Sequence, residues 1–273
     1  MEVRLYIFLG LLGALTTLEF VWPRRPRTFS RSRRWPVNII ITIANTVLAR
    51  LTFGAIPYLY AEQVFAQKHG IIGYFSLEGW PAIIISFLAL DLLIYLQHIM
   101  FHATPVLWRL HKVHHSDPDL DVTSGFRFHP IEIILSLVIK LLGIGAIGAH
   151  PMGFLIFEIM LNAGSLFNHS NINVRGSFDH FLKWFIVTPD MHRIHHSVEE
   201  QETNSNFSFS LSIWDRVFGT YKASARQPQE SIVIGLDGID DQAANNLFKI
   251  LLIPFKKSAQ VYSFEKKNLS SKG

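Results

Sequence analysis

The chain has no cysteine among its 273 residues. That absence removes disulfides, iron–sulfur clusters, thiolate-ligated haem and cysteine-bound zinc, so any metal held here must sit on nitrogen and oxygen. Charge is scarce as well. Asp, Glu, Lys and Arg make up 17% while hydrophobic residues reach 49% and mean hydropathy is +0.25, a balance too apolar for an ordinary soluble domain. No GxGxxG, Walker loop or serine nucleophile elbow occurs, so nucleotide cradles and acyl-enzyme chemistry have no support. The net charge of +4 and pI near 9.3 could suggest nucleic acid, but the basic residues collect beside apolar segments instead of forming their own face. Anionic lipid headgroups are the simpler partner.

What the chain does have is histidine in pattern, thirteen in all. His111, His114 and His115 lie at i, i+3 and i+4, so a helix turns all three to one side. The triplet returns as His192, His195 and His196, and His98 and His102 form an i, i+4 pair. A lone histidine is more often a cap or a surface residue than a ligand. Crowded imidazoles, however, must either charge and repel or stay neutral and share a cation, and neutral imidazole is the commonest metal ligand. Metal binding is the expectation for the set.

Apolar runs give the frame. Tyr6–Trp22 is near the lower limit for crossing a bilayer, and the arginines Arg24, Arg25, Arg27, Arg31, Arg33 and Arg34 follow it, which predicts a retained anchor with its C-terminal end in the cytoplasm. Pro36 to about Tyr60 is long enough to cross with Arg50 turned toward other helices; the alternative is two shorter pieces broken near Arg50. The stretch around Glu62, Gln63, Lys68 and His69 is predicted as a far-side loop. Trp80 to Gln97 is a third span, carrying Asp91, Tyr95, His98 and His102 on one face. Asp91 is either a partner for Tyr95 or an acceptor that orients an imidazole, and the second is preferred.

Pro105–Pro130 is polar, with Pro130 placed to open a helix. Ile131–Ala149 and Met152–Phe167 read as a hairpin entering the bilayer and returning, each arm short. This topology puts every histidine cluster, including His169, on the side of the arginines. Leu247–Phe255 is too short to cross and is expected on the domain or in the interface, and the Lys-rich tail after Ser263 is expected to be mobile. His69, His150 and His180 fall in loops and are excluded as ligands.

The order His-x3-His, His-x2-His-His, an intervening His and a final His-x2-His-His resembles the fatty acid hydroxylase and sterol desaturase superfamily. Several further stretches are similar to its pattern: Asp91-x3-Tyr95-x2-His98, Leu107-Trp108-Arg109-Leu110, Ser116-Asp117, Arg127-x-His129-Pro130-x-Glu132, Thr188-Pro189, and Trp214-Asp215-Arg216-x-Phe218-Gly219-Thr220-Tyr221. Ile99 and Ser208 depart from it without removing a ligand.

The resemblance implies an all-α, integral-membrane helical bundle with a cytoplasmic histidine-rich helical cap holding a dinuclear metal site. Residues 1–79 would supply membrane anchor spans, 80–222 the catalytic domain and 223–273 a cytoplasmic tail. The protein would be multi-pass, in a cell inner membrane or endoplasmic reticulum, its site facing the cytoplasm. The implied activity is O2-dependent hydroxylation or desaturation of a lipid C–H bond on two irons, since attack on such a bond needs a metal that changes oxidation state and zinc cannot. His98, His102, His111, His114, His115, His169, His192, His195 and His196 supply nine ligands, with His129 a tenth candidate whose other role is to start a helix. Asp91, Asp117, Asn168 and Asp190 are candidate partners for the imidazoles. No flavin, haem or nicotinamide motif is present, so electrons would come from a separate reductase, a small carrier protein or a pterin. A metal carrier and a catalytically silent membrane scaffold stay open as alternatives.

Overall fold

Proline placement sets where the helices of this chain begin. In the computed structural model, which describes residues 2–236, 239 and 244–256, the order is α1 (Glu2–Val21), α2 (Arg31–Thr52), α3 (Ile56–Ala66), α4 (Gly70–Tyr74), α5 (Gly79–Ala103), α6 (Pro105–His115), α7 (Pro130–Ile147), α8 (Pro151–His169), α9 (Gly176–Leu182), α10 (Pro189–His195), α11 (Glu200–Thr203), α12 (Ile213–Val217) and α13 (Leu247–Leu252). Helices α6, α7, α8 and α10 all open on proline, whose fixed φ suits the first turn and whose missing N–H would have been unpaired there anyway. Among the described residues there is no β-strand, only the isolated bridges Pro23–Ile172, Ile186–Leu211 and Ser197–Ile234. The all-α expectation holds.

Among the described residues, three helices are long and apolar enough to cross a membrane: Val3–Val21, Gly79–Ala103 and Pro130–Ile147. A fourth crossing would need α2 joined to Ile56–Tyr74 across a bend of 45°. The expected span from Pro36 is therefore broken, as in the two-piece alternative. Helix α2 starts earlier, at Arg31, and ends at Thr52; Arg50 is exposed and does not face other helices. The predicted far-side loop is helical through Ala66. The hairpin arm α8 is not apolar enough to cross, because it carries Glu158, Asn162, Asn168 and His169 and packs those on α1, α5, α7 and the loops. Glu158 accepts from Lys140 of α7 and Arg4 of α1, both at 2.8 Å. Gly148 ends α7 with φ of 69°, and a Cβ there would meet His69 O at 1.9 Å, so the hairpin turn needs glycine.

Beneath the histidines, Leu90 and Ile94 of α5, Ile144 of α7 and Phe154 and Phe157 of α8 form the main apolar core. Helix α13 and the turn after it pack on the domain: Ile250 and Ile253 are buried with Val37, Ile41 and Val113. The tail after Ser263 lies outside the described residues.

The arginines that follow α1 serve the protein itself. Arg34 is fully buried, donating to Asp117 at 2.7 and 2.8 Å and to Asp121 at 2.8 Å. Arg24 reaches Asp190 (3.1 Å), Arg25 reaches the Ile232 carbonyl (2.7 Å), and Arg27 and Arg31 face the buried Glu19 at 3.5 and 3.6 Å. Five of the six arginines are thus engaged inside the protein: Arg34 holds the loop after the first triplet, Arg24 the start of the second triplet helix, Arg25 the Ile232 backbone, and Arg27 and Arg31 the Glu19 carboxylate of α1.

Candidate metal centre

Helices α5, α6, α8 and α10 deliver nine imidazoles to one buried volume. Both triplet helices open on Thr-Pro (Thr104-Pro105 and Thr188-Pro189), with Thr188 Oγ1 accepting from Met191 N at 3.4 Å, and the triplets sit at the C-terminal ends of these two short helices. On α5, Asp91, Tyr95, His98 and His102 share the buried face as their spacing predicts.

The nine divide into two sets. His98, His102, His111, His115 and His195 form one, and His114, His169, His192 and His196 the other; in each, one nitrogen per ring lies within 4.8 Å of all the rest. Every ring is almost wholly buried. All nine histidines expected together are together. His129 belongs to neither set: its Nδ1 accepts from Ile131 N at 3.2 Å and caps α7. His150 caps α8 in the same way, accepting from Met152 N at 3.0 Å.

Hydrogen bonds fix which nitrogen faces inward. His98 Nδ1–H donates to Phe207 O (2.7 Å), His169 Nδ1–H to Ser165 O (2.9 Å) and His195 Nδ1–H to Ser205 O (2.8 Å), while His111 Nδ1 meets Glu132 Oε1 at 2.6 Å. A carbonyl can only accept, so His98, His169 and His195 turn bare Nε2 lone pairs to the centre. There the Nε2 atoms of His98 and His111 face each other at 3.1 Å, and His169 Nε2 meets those of His114 and His192 at 3.1 and 3.0 Å. His195 Nε2 and both ring nitrogens of His115 are buried without a hydrogen-bond partner. Nitrogens at this spacing repel unless a proton or a cation lies between them; edges near 3 Å suit ligands at right angles around an ion roughly 2.1–2.2 Å away, close to ordinary metal–imidazole bonds. The donor set fits a metal.

Burial keeps the rings neutral. It lowers His111 to about 3 and pushes His114, His115, His192, His195 and His196 well below the usual imidazole value, with repulsion from neighbouring imidazoles adding to it in the last five. Three phenylalanines close the sides. Phe128 stacks on His114 (4.3 Å), Phe207 lies 5.1 Å from His102 and 5.5 Å from His195, and Phe209 touches both sets at 6.1 Å from His98 and 6.2 Å from His192.

None of the four predicted partner residues hydrogen-bonds an imidazole. Asp91 accepts from Trp214 Nε1 (2.8 Å) and Leu211 N (3.3 Å), and Tyr95 bonds Thr220 instead (2.8 Å). Asp117 is held by Arg34, Asn38 and Ser124, with the guanidinium attraction outweighing burial to keep its carboxyl well below the usual range. Asp190 pairs with Arg24 and Arg193, and Asn168 donates to Phe209 O. The acceptors that do orient rings are Glu132 and three backbone carbonyls. Glu132 stands in a stretch quoted above for its resemblance; the carbonyls carry no residue signal. Asp215 supports one of them: its carboxylate accepts from Phe207 N (2.7 Å), Ser208 N (3.0 Å) and Thr220 Oγ1 (2.6 Å), fixing the loop whose Phe207 carbonyl aims His98.

Comparison with known proteins gives the same direction. Residues 83–220 match the fatty acid hydroxylase family. The chain is 28% identical over 191 residues to an ornithine lipid hydroxylase of Rhizobium tropici, 68% of this chain and 55% of that protein. It is 30% identical over 160 residues to an alkylglycerol monooxygenase of Xenopus tropicalis, 56% of this chain and 32% of the other, and 23% identical over 146 residues to human cholesterol 25-hydroxylase, 52% of each. The chain thus spans 32% to 55% of the length of these relatives. No solved structure matches it.

Proposed function

The chain belongs to the fatty acid hydroxylase family, and from that premise we propose that it is a membrane-bound di-iron oxygenase that uses O2 and external electrons to hydroxylate, or desaturate, a C–H bond of a lipid. The observation that carries the proposal is the division of nine buried, neutral imidazoles into sets of five and four whose lone pairs converge. His98, His102, His111, His115 and His195 would hold one iron and His114, His169, His192 and His196 the other. Iron supplies, when bound, the redox capacity for O2 activation that zinc lacks.

The protein's own contribution is positioning and exclusion. The carbonyls of Phe207, Ser205 and Ser165 lock ring tautomers, leaving Nε2 free to ligate in three of the nine, and Glu132 orients the ring of His111. Phe128, Phe207 and Phe209 keep water from the rings. Phe209 also packs into the apolar core between α5 and α8, which leads from the lipid-exposed helices to both sets. A lipid chain reaching the site along that core stays out of water, sparing roughly 0.8 kcal/mol for each CH2. The named relatives act on lipids, which supports a lipid substrate and O2 use. Electrons would arrive from a separate donor.

The test pairs metal analysis with lipid analysis. Purified protein should carry close to two irons per chain, and cells expressing it should accumulate a lipid one oxygen heavier, or two hydrogens lighter, that a His195→Ala strain lacks. Full iron content with no change in any lipid would leave a metal-holding membrane scaffold, and zinc in place of iron would end the oxygenase reading.

A further inference from the structure

Six apolar side chains stand exposed on one side of α5: Phe181, Trp184 and Phe185 on and after α9, and Ile213, Val217 and Phe218 on and after α12. Trp184 is 65% and Val217 62% exposed. The two pieces make one surface, since Ile186 bridges Leu211, Ser212 N donates to Phe185 O at 3.2 Å, and the Arg216 guanidinium lies 4.7 Å over the Trp184 ring. An aromatic patch of this density is not left to water without a partner.

Its height along α5 identifies the partner. Trp214 Nε1 donates to Asp91 Oδ2 at 2.8 Å, and the Phe218 ring stacks on Tyr95 at 5.4 Å. At about 1.5 Å per residue, Asp91 lies roughly 18 Å and Tyr95 roughly 24 Å along the helix from Gly79. A hydrocarbon layer of about 30 Å that begins near the exposed Trp80 extends past both. Outward-facing Leu96 and Met100, both exposed, continue the apolar surface of α5 beyond those attachments. The patch is thus fastened at a depth where the neighbouring helix meets acyl chains.

Its backbone and charges suit such a medium. Phe185 N, Ile186 N, Val187 N and Phe218 N bond to Leu182 O, Leu182 O, Ser210 O and Trp214 O, and Leu211 N to Asp91, so these amides need no water. Lys183 is paired with Asp179 at 2.5 Å, and Arg216 is held between the Trp184 and Tyr221 rings with a bond to Ser212 O. Resting on the reading of α5 as a membrane span, we propose that the α9–α12 surface inserts into a single bilayer leaflet beside α5, its occupant the acyl chains of phospholipids. The histidine core then sits partly sunk in the membrane instead of resting on it.

A chain without native cysteine permits clean single-site labelling. Phe181→Cys, Val217→Cys, Ile84→Cys on the exposed face of α5, and Glu200→Cys on the charged far surface would each carry an environment-sensitive fluorophore in phosphatidylcholine nanodiscs. Acyl-chain spin labels should quench the probes at 181, 217 and 84 several-fold more strongly than the probe at 200, and aqueous iodide should show the reverse order. Quenching at 84 but not at 181 or 217 overturns the insertion while leaving the span intact. No quenching at 84 overturns the membrane reading of α5 beneath it. Shielding of 181 and 217 from both quenchers, with cross-links between copies at 181, would assign the surface to a second chain and equally defeat the proposal.

Discussion

His111 Nδ1 and Glu132 Oε1 lie 2.6 Å apart, joining the first triplet helix to the start of α7 in a bond that aims His111 Nε2 at His98 Nε2. The contact is buried from both sides. Removing the carboxylate frees the ring to rotate and to change tautomer, and loss of such a partner typically weakens a metal site by about 10–100-fold. Glu132→Ala should therefore lose metal to a chelator faster than wild type by that factor, and Glu132→Gln, which keeps an acceptor, should recover part of it. Equal retention in all three would remove Glu132 from the site.

The two histidine sets should empty separately. Because His195 belongs to the set of five and His192 to the set of four, His192→Ala strips a larger share of its set. Metal analysis should give close to half the wild-type content for His192→Ala, with more retained in His195→Ala, and lipid turnover lost in both. A complete loss of metal from either variant would mean that the sets fill as one unit.

Arg34 neutralises Asp117 and Asp121 where all three are without solvent exposure. Breaking a buried pair by removing one partner costs about 3–5 kcal/mol, because the other charge is left without compensation. Arg34→Met should lower stability by that amount in denaturant titrations in detergent, and the double variant with Asp117→Asn should regain part of it. An unchanged midpoint for Arg34→Met would show that the network contributes nothing.

Acid should unfold the metal-free protein through its histidines. Folded-state values for His111, His114, His115, His192, His195 and His196 lie below the ordinary 6.5, so between the two values the unfolded chain binds more protons. Stability is fully present above pH 6.5 and falls as pH drops below it, for His111 down to about 3. Each such group adds a slope of about 1.4 kcal/mol per pH unit. Tm should be flat from pH 7 to 8 and drop steeply below 6.5 in chelated protein; a flat profile to pH 5 would contradict the burial of neutral rings.

The histidines were legible because their message is local. Spacings of three and four residues bring rings to one face whatever the tertiary fold, and only His169 needed its place in the wider pattern. The division into five and four was not legible, since it splits the first triplet: His111 and His115 go one way and His114 the other. The supporting shell was mostly hidden. Backbone carbonyls at Ser165, Ser205 and Phe207 leave no trace in residue type, and carboxylates that looked suited to an imidazole were engaged elsewhere. Asp91 meets Trp214 across 123 residues and Arg34 meets Asp117 across 83, distances over which composition says nothing about pairing.

Glu19 binds the amides of Val122 at 2.9 Å and Asn171 at 2.7 Å, and that sets an order of assembly. Helix α1 leaves the ribosome before the loops it contacts, and its buried carboxylate finds its second partner 152 residues later. At about 5–20 residues per second, roughly 8–30 s separate the synthesis of Glu19 from that of Asn171. Through that interval α1 cannot be locked against the loops it will clamp, and the segment carrying the first histidine triplet is made before its N-terminal frame is complete. The second triplet emerges directly after Asn171, so closure of the frame and completion of the histidine cluster fall in the same stretch of synthesis. An ion arriving earlier would meet only part of the histidine set, which is completed late in the making of the chain.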